Sequence, residues 1–144
     1  MTRRATGSRG SVLMLMPAAV LIVLVLSAIA VDLSIVQLGQ RELVDAADAA
    51  ANDAVTYGLS EQQLREGGGY RLDPARAEQA VRRSLDAEGV LDRLAEPPRV
   101  EITGADTVTV VLTMDVDHLF ARSLPGTPDA TEVTATGSAT AVQR

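Results

Sequence analysis

Ser11 to Val31, SVLMLMPAAVLIVLVLSAIAV, is a run of 21 residues without a charge. Wound as a helix at ~1.5 Å per residue it is roughly 31 Å long, which matches a hydrocarbon core of about 30 Å. Pro17 falls within its first two turns, where a missing N–H is easiest to accommodate. Arg3, Arg4 and Arg9 precede the run and acids dominate after it. The positive-inside rule then places the N-terminus in the cytoplasm and everything from Asp32 onward outside.

A rival reading starts from Ala28-Ile29-Ala30, an A-x-A pattern after a basic stretch. It would make the run a secretory signal cleaved between Ala30 and Val31. Against cleavage, the run exceeds the ~7–15 residues of a signal's apolar region, and the helical pattern continues through the site.

From Asp32 the pattern stays helical to about Tyr57, with Gly58 as its stop. Leu33, Val36, Gln40, Leu43, Ala47, Ala50, Ala54 and Tyr57 recur at three- and four-residue steps. This seam shrinks from Leu and Val to Ala, and small side chains let a neighbouring backbone come close. Arg41, Glu42, Asp45, Asp48 and Asp53 supply the wet face. Apolar run and extension thus form one helix of some 45 residues, with Asp32, Leu43, Ala47, Ala50 and Ala54 as the candidate packing interface.

Glu66-Gly67-Gly68-Gly69-Tyr70 reads as a loop. Asp73 and Pro74 read as N-cap and first residue of a second helix, with Ala77, Val81 and Leu85 on its apolar face and Gly89 at its end. After Pro97-Pro98 the period becomes two. Val100–Thr103 and Thr107–Val116 form an antiparallel hairpin around Gly104-Ala105-Asp106, His118–Leu124 a short helical turn, and Thr131–Val142 a last strand. The expected fold class is α+β: a long N-terminal helix, one shorter helix and a sheet of about three antiparallel strands. The expected organisation is a basic cytoplasmic segment 1–10, a membrane helix 11–31, an extracytoplasmic extension 32–58 and a small head 59–144.

Composition narrows the functions available to such a head. The 144 residues carry a net charge of −6, and all 13 basic residues are arginine. That balance argues against nucleic-acid binding. With no cysteine there is neither a disulfide framework nor a thiolate metal site. The aromatics are Tyr57, Tyr70 and Phe120 alone, so stacking platforms are lacking.

Candidate chemistry is sparse. Asp115-Val116-Asp117-His118 sets two aspartates on one side of a strand, but the chain's single histidine leaves a metal only carboxylates, and a polar strand end is the better reading. Asp45, Asp48 and Asn52 share a helix face that reads as solvated. Asp32-Leu33-Ser34-Ile35-Val36 resembles a D-x-S-x-S metal loop only until Val36, where serine is required. Gly67-Gly68-Gly69 lacks the lysine and preceding strand of a phosphate loop. No catalytic apparatus and no cofactor site is expected.

Arg9-Gly10-Ser11 leading into an apolar run with Pro17, closing on Ala30-Val31-Asp32 and followed by QRELVDAADAA from Gln40 to Ala50, resembles the N-terminal segment of TadE/TadG-like proteins of the tight-adherence (Flp) pilus system. The resemblance covers about the first 55 residues; the strand, apolar turn and Val/Thr/Ala-rich strand near the C-terminus are similar more loosely. It implies a pilin-like single-pass envelope protein, a minor pilin or pseudopilin partnered by the membrane and by other pilus or secretion subunits through its N-terminal helix. Processed pilins carry glutamate five residues after the cleavage glycine. Counting from Gly10 this chain has Leu15, which weighs against cleavage between Gly10 and Ser11. The alternative function is a secreted, non-enzymatic binding module released after Ala30.

Asp32 has two readings at this point. It marks where the membrane ends, or it pairs with a basic group or free N-terminus of a neighbouring subunit and sets the axial register of packed helices. The alanine seam likewise packs on the protein's own sheet or against other subunits.

Overall fold

A computed structural model describes residues 9–59, 71–104, 106–123 and 125–141. The first helix, α1, is unbroken from Arg9 to Tyr57, 49 residues with Pro17 inside. It runs on through Ala30, Val31 and Asp32 without interruption. The reason is local: from Val31 to Tyr57 the chain has one glycine, Gly39, and no proline, and its alanines are the best helix formers.

Gly58 follows the helix as expected, for a different reason. Its φ is not positive, so no left-handed cap is formed. Instead a Cβ there would lie 3.2 Å from the Ala77 Cβ, so its missing side chain lets the second helix approach. The Gly58 N–H donates to the Ala54 carbonyl and its carbonyl accepts from the Asp73 N–H, both at 2.8 Å.

That second helix, α2, spans Pro74–Ala87. The Asp73 side chain accepts from the N–H groups of Ala75 and Arg76, and Gly89 at φ 69° turns the chain out. Ala77, Ala80, Val81, Ser84 and Leu85 form its buried face. A short 3-10 turn, Leu91–Arg93, leads toward the sheet. Leu94 pairs with Met114 there, and the Ala95 N–H donates to the Thr113 carbonyl at 2.9 Å.

The sheet is antiparallel with order β1-β2-β3, formed by Arg99–Thr103, Thr107–Asp117 and Ala130–Thr140. Thr103 pairs with Thr107 across the hairpin, where Gly104 takes φ 72°. Strand β2 pairs with β3 over its whole length, from Thr107 opposite Thr140 to Asp117 opposite Ala130. Alternation sends Val108, Val110, Leu112, Met114 and Val116 to the buried face of β2, and Val133, Ala135 and Gly137 to that of β3. The mixed α+β layout expected from the sequence is the one observed.

The core lies between this face and the two helices. Leu43, Ala46, Ala47, Ala50, Ala51 and Ala54 of α1 are at most 1% exposed, and the bulk comes from Val108, Val110, Leu112, Met114, Val81 and Leu85 opposite. Small residues on the helix opposite large ones on β2 and α2 let the layers approach closely. The approach is tightest at Gly137, where any Cβ would collide with the backbone of Ala47 and Asp48. At Gly39 a Cβ would fall 2.7 Å from a methyl of Val116.

Candidate functional site

The buried stripe of α1 runs Asp32, Ile35 and Val36, Gly39, Leu43, Ala46 and Ala47, Ala50 and Ala51, Ala54. It keeps a three- and four-residue period, so one face stays on the head for more than 20 residues. Of the seam expected from the sequence, Leu43, Ala47, Ala50 and Ala54 lie on it and are packed in the protein's own core. Val36 is half-buried, and Gln40 is exposed. Leu33 and Tyr57 are 60% and 65% exposed, and correct that expectation. Leu33 sits about 100° around the helix from Asp32, and Tyr57 projects from the last turn, past the sheet.

Asp32 begins the stripe and is 6% exposed. Its Oδ1 accepts from the backbone N–H groups of Leu119 at 2.8 Å and Phe120 at 3.0 Å, and its Oδ2 accepts from Phe120 at 3.2 Å and Ala121 at 2.7 Å. The receiving segment links β2 to β3 and contains the 3-10 turn Ala121–Ser123. Burial alone would raise the Asp32 carboxyl. The hydrogen bonds from Phe120, Ala121 and Leu119, helped by the field of His118, outweigh burial and hold it below the ordinary aspartate value. Asp32 is thus engaged within its own chain, through backbone donors that neither sequence reading had included.

The same linker is tied from its other side. The His118 N–H donates to the Asp129 carbonyl at 2.9 Å, and its Nε2 is 2.9 Å from the Thr131 hydroxyl. The His118 Nδ1 is buried and has no hydrogen-bond partner among the described residues. The Thr127 hydroxyl donates to the Ala121 carbonyl. Apolar Leu119 and Phe120 are left 48% and 46% exposed at the tip.

The remaining candidates separate. Asp115 and Asp117 are exposed on the outer face of β2, and among the described residues no group of histidine and carboxylates is arranged to hold a metal. Asp45 and Asp48 face solvent, and the Asn52 amide donates to the Asp48 carbonyl at 2.8 Å. Gly10 and Ser11 lie in the first turn of α1, with Arg9 as its first residue. Leu15 is exposed, as are Ala30 and Val31 in mid-helix. Arg3, Arg4 and the Gly67-Gly68-Gly69 loop fall outside the described residues.

Sequence reasoning missed Ile35, Gly39, Leu119, Phe120, Ala121 and Gly137. One signal was available: Asp32 is in register with Gly39, Leu43 and Ala50, so the helical period already set it on the buried face.

α1 is long and apolar enough to cross a membrane, with its apolar residues exposed from Leu15 to Val31 apart from the half-buried Ala28. Residues 10–56 match a family model described as putative Flp pilus-assembly TadE/G-like. No curated protein and no solved structure matches the chain. The matched segment begins one residue into α1 and ends one residue before its close, so apolar run, Asp32 and alanine stripe fall inside it together. Over its long helix, about a third of the chain, the protein is similar to the TadE/G-like family of Flp pilus assembly.

Proposed function

We propose that the protein is a structural, non-enzymatic, single-pass component of the bacterial envelope, a minor pilin or pseudopilin working in assembly of a Flp-type pilus or a related secretion machine. Residues 11–31 span the cytoplasmic membrane, the arginine-rich N-terminus stays inside, and the head from Asp32 onward is outside. Other pilus or secretion subunits are met through the N-terminal helix.

One observation carries this reading: a single unbroken helix exposes apolar side chains along its first half and buries an alanine stripe in the head along its second. A helix built so transmits the head's position directly to the bilayer, since no hinge residue separates the two halves. The exposed face beyond the membrane, with Leu33, Leu38 and Val44, is left for neighbouring subunits.

Fractionation of the native cell envelope with intact mass and N-terminal sequencing tests the reading. A chain starting at Met1 or Thr2 in the membrane fraction supports the uncleaved anchor, and one starting at Ser11 a processed pilin. A soluble chain starting at Val31 overturns it in favour of the secreted module. Loss of surface pili on deletion of the gene, restored by the full chain, tests the assembly role.

A further inference from the structure

The turn held by Asp32 presents two apolar side chains beside the end of the apolar run. Leu119 and Phe120 are about half exposed, while their backbone N–H groups and that of Ala121 are all taken up by one carboxylate. Asp32 is the first residue after that run. Ala28 lies one turn earlier on the same face and is half-buried, whereas every other described residue from Leu15 to Val31 is exposed. α1 touches the Ala121–Ser123 turn. The linker therefore lies against α1 at the end of the apolar run, where an anchor spanning residues 11–31 would pass from hydrocarbon to headgroups.

We propose that Leu119 and Phe120 form a membrane-interface finger, inserted at the headgroup–acyl boundary of the same bilayer that α1 crosses. This rests on the reading of residues 11–31 as a membrane anchor. Irregular backbone is excluded from lipid chiefly by its unsatisfied N–H groups. Asp32 removes that obstacle for three consecutive amides, so the tip can leave water with its apolar side chains. Arg122 shares a cleft with Asp117 and Asp129, so no net positive patch draws the finger to anionic lipid. Apolar burial is what favours insertion. With the helix as one contact and the finger as a second, the head is fixed in tilt and rotation relative to the bilayer, which one helix alone leaves free.

The chain has no tryptophan, so single reporters are clean. Full-length Phe120→Trp, Leu119→Trp, Leu24→Trp and Tyr57→Trp proteins are reconstituted into vesicles of phosphatidylethanolamine and phosphatidylglycerol, with bromine placed either near the headgroup or deep in the acyl chain. The finger predicts blue-shifted emission for Phe120→Trp and Leu119→Trp and loss of their fluorescence to the shallow bromines. Leu24→Trp loses fluorescence to the deep bromines. Tyr57→Trp, about 37 Å along the helix from Asp32, responds to neither.

Unquenched tryptophan at both 119 and 120 with Leu24→Trp quenched overturns the finger and leaves the anchor standing. A blue shift at 120 without lipid quenching also overturns it, and assigns the tip to a protein neighbour or a second copy. Failure of Leu24→Trp to quench removes the anchor reading and the finger with it.

Discussion

The Asp32 carboxylate and the Ala121 amide are 89 residues apart in the chain and 2.7 Å apart in space. Two further amides, Leu119 and Phe120, converge on the same carboxylate, so one side chain on α1 holds three consecutive residues of the linker between β2 and β3. The single acid at the boundary of the apolar run is therefore a joint between helix and head.

Replacing that joint has a graded outcome. Asp32→Asn keeps one oxygen acceptor but brings an NH2 group to face a backbone donor, and Asp32→Ala leaves all three amides without a partner. Hydrogen-exchange protection of the Leu119, Phe120 and Ala121 amides should fall from Asp to Asn to Ala, with the Val108–Val116 ladder unchanged. Equal protection in all three proteins would show that something other than Asp32 holds the turn.

The pH dependence follows from the sign of the shift. The Asp32 carboxyl sits below its ordinary value of 3.8 in the folded chain, so its contribution is fully present above that value. It is lost as the pH falls through the lower, folded value. In an amide titration by NMR, the Phe120 and Ala121 resonances should show a step below 3.8 as Asp32 takes up its proton. In Asp32→Asn that step should be absent.

Much of the architecture was legible in the sequence because it rests on local periods. The charge-free run and the alanine-rich extension specify one helix, Asp73-Pro74 and Gly89 bracket the next, and the alternation from Val108 to Val116 specifies a strand with one buried face. What was hidden is non-local. The donors to Asp32 are backbone N–H groups, which leave no mark in residue identity, and Gly137 is informative only once Ala47 is known to lie against it. The seam failed at Leu33, Gln40 and Tyr57 because small steps of three and four fit two adjacent helix faces nearly as well. The inclusion of Asp32 and Gly39 selects the correct one.

The two glycines at the helix–sheet contact should respond differently to alanine. At Gly137 the added Cβ meets the backbone of Ala47, which can retreat only if helix and sheet separate. At Gly39 it meets a Val116 methyl at 2.7 Å, which a side-chain shift can relieve, and alanine improves the helix. Gly137→Ala should cost about 1–3 kcal/mol, and Gly39→Ala should stay within about 1 kcal/mol of the unchanged protein. Urea unfolding in detergent, followed by circular dichroism, measures both; the reverse order would mean that the close approach is made at Val116 instead.

Arg93 and Glu42 form the ion pair between the 3-10 turn and α1, at 2.5 Å, and it is a weak support. The side chains are 52% and 44% exposed, so water and salt screen the attraction and two flexible chains must be ordered to make it. The same groove carries Asp115 and Asp117, so Arg93 retains other acids nearby when Glu42 is neutralised. A double-mutant cycle with Glu42→Gln and Arg93→Gln should give a coupling of about 0.2–1 kcal/mol that shrinks as salt is added. A coupling above about 2 kcal/mol, insensitive to salt, would mean that the pair is shielded from water and that this side of α1 is covered in the assembled protein.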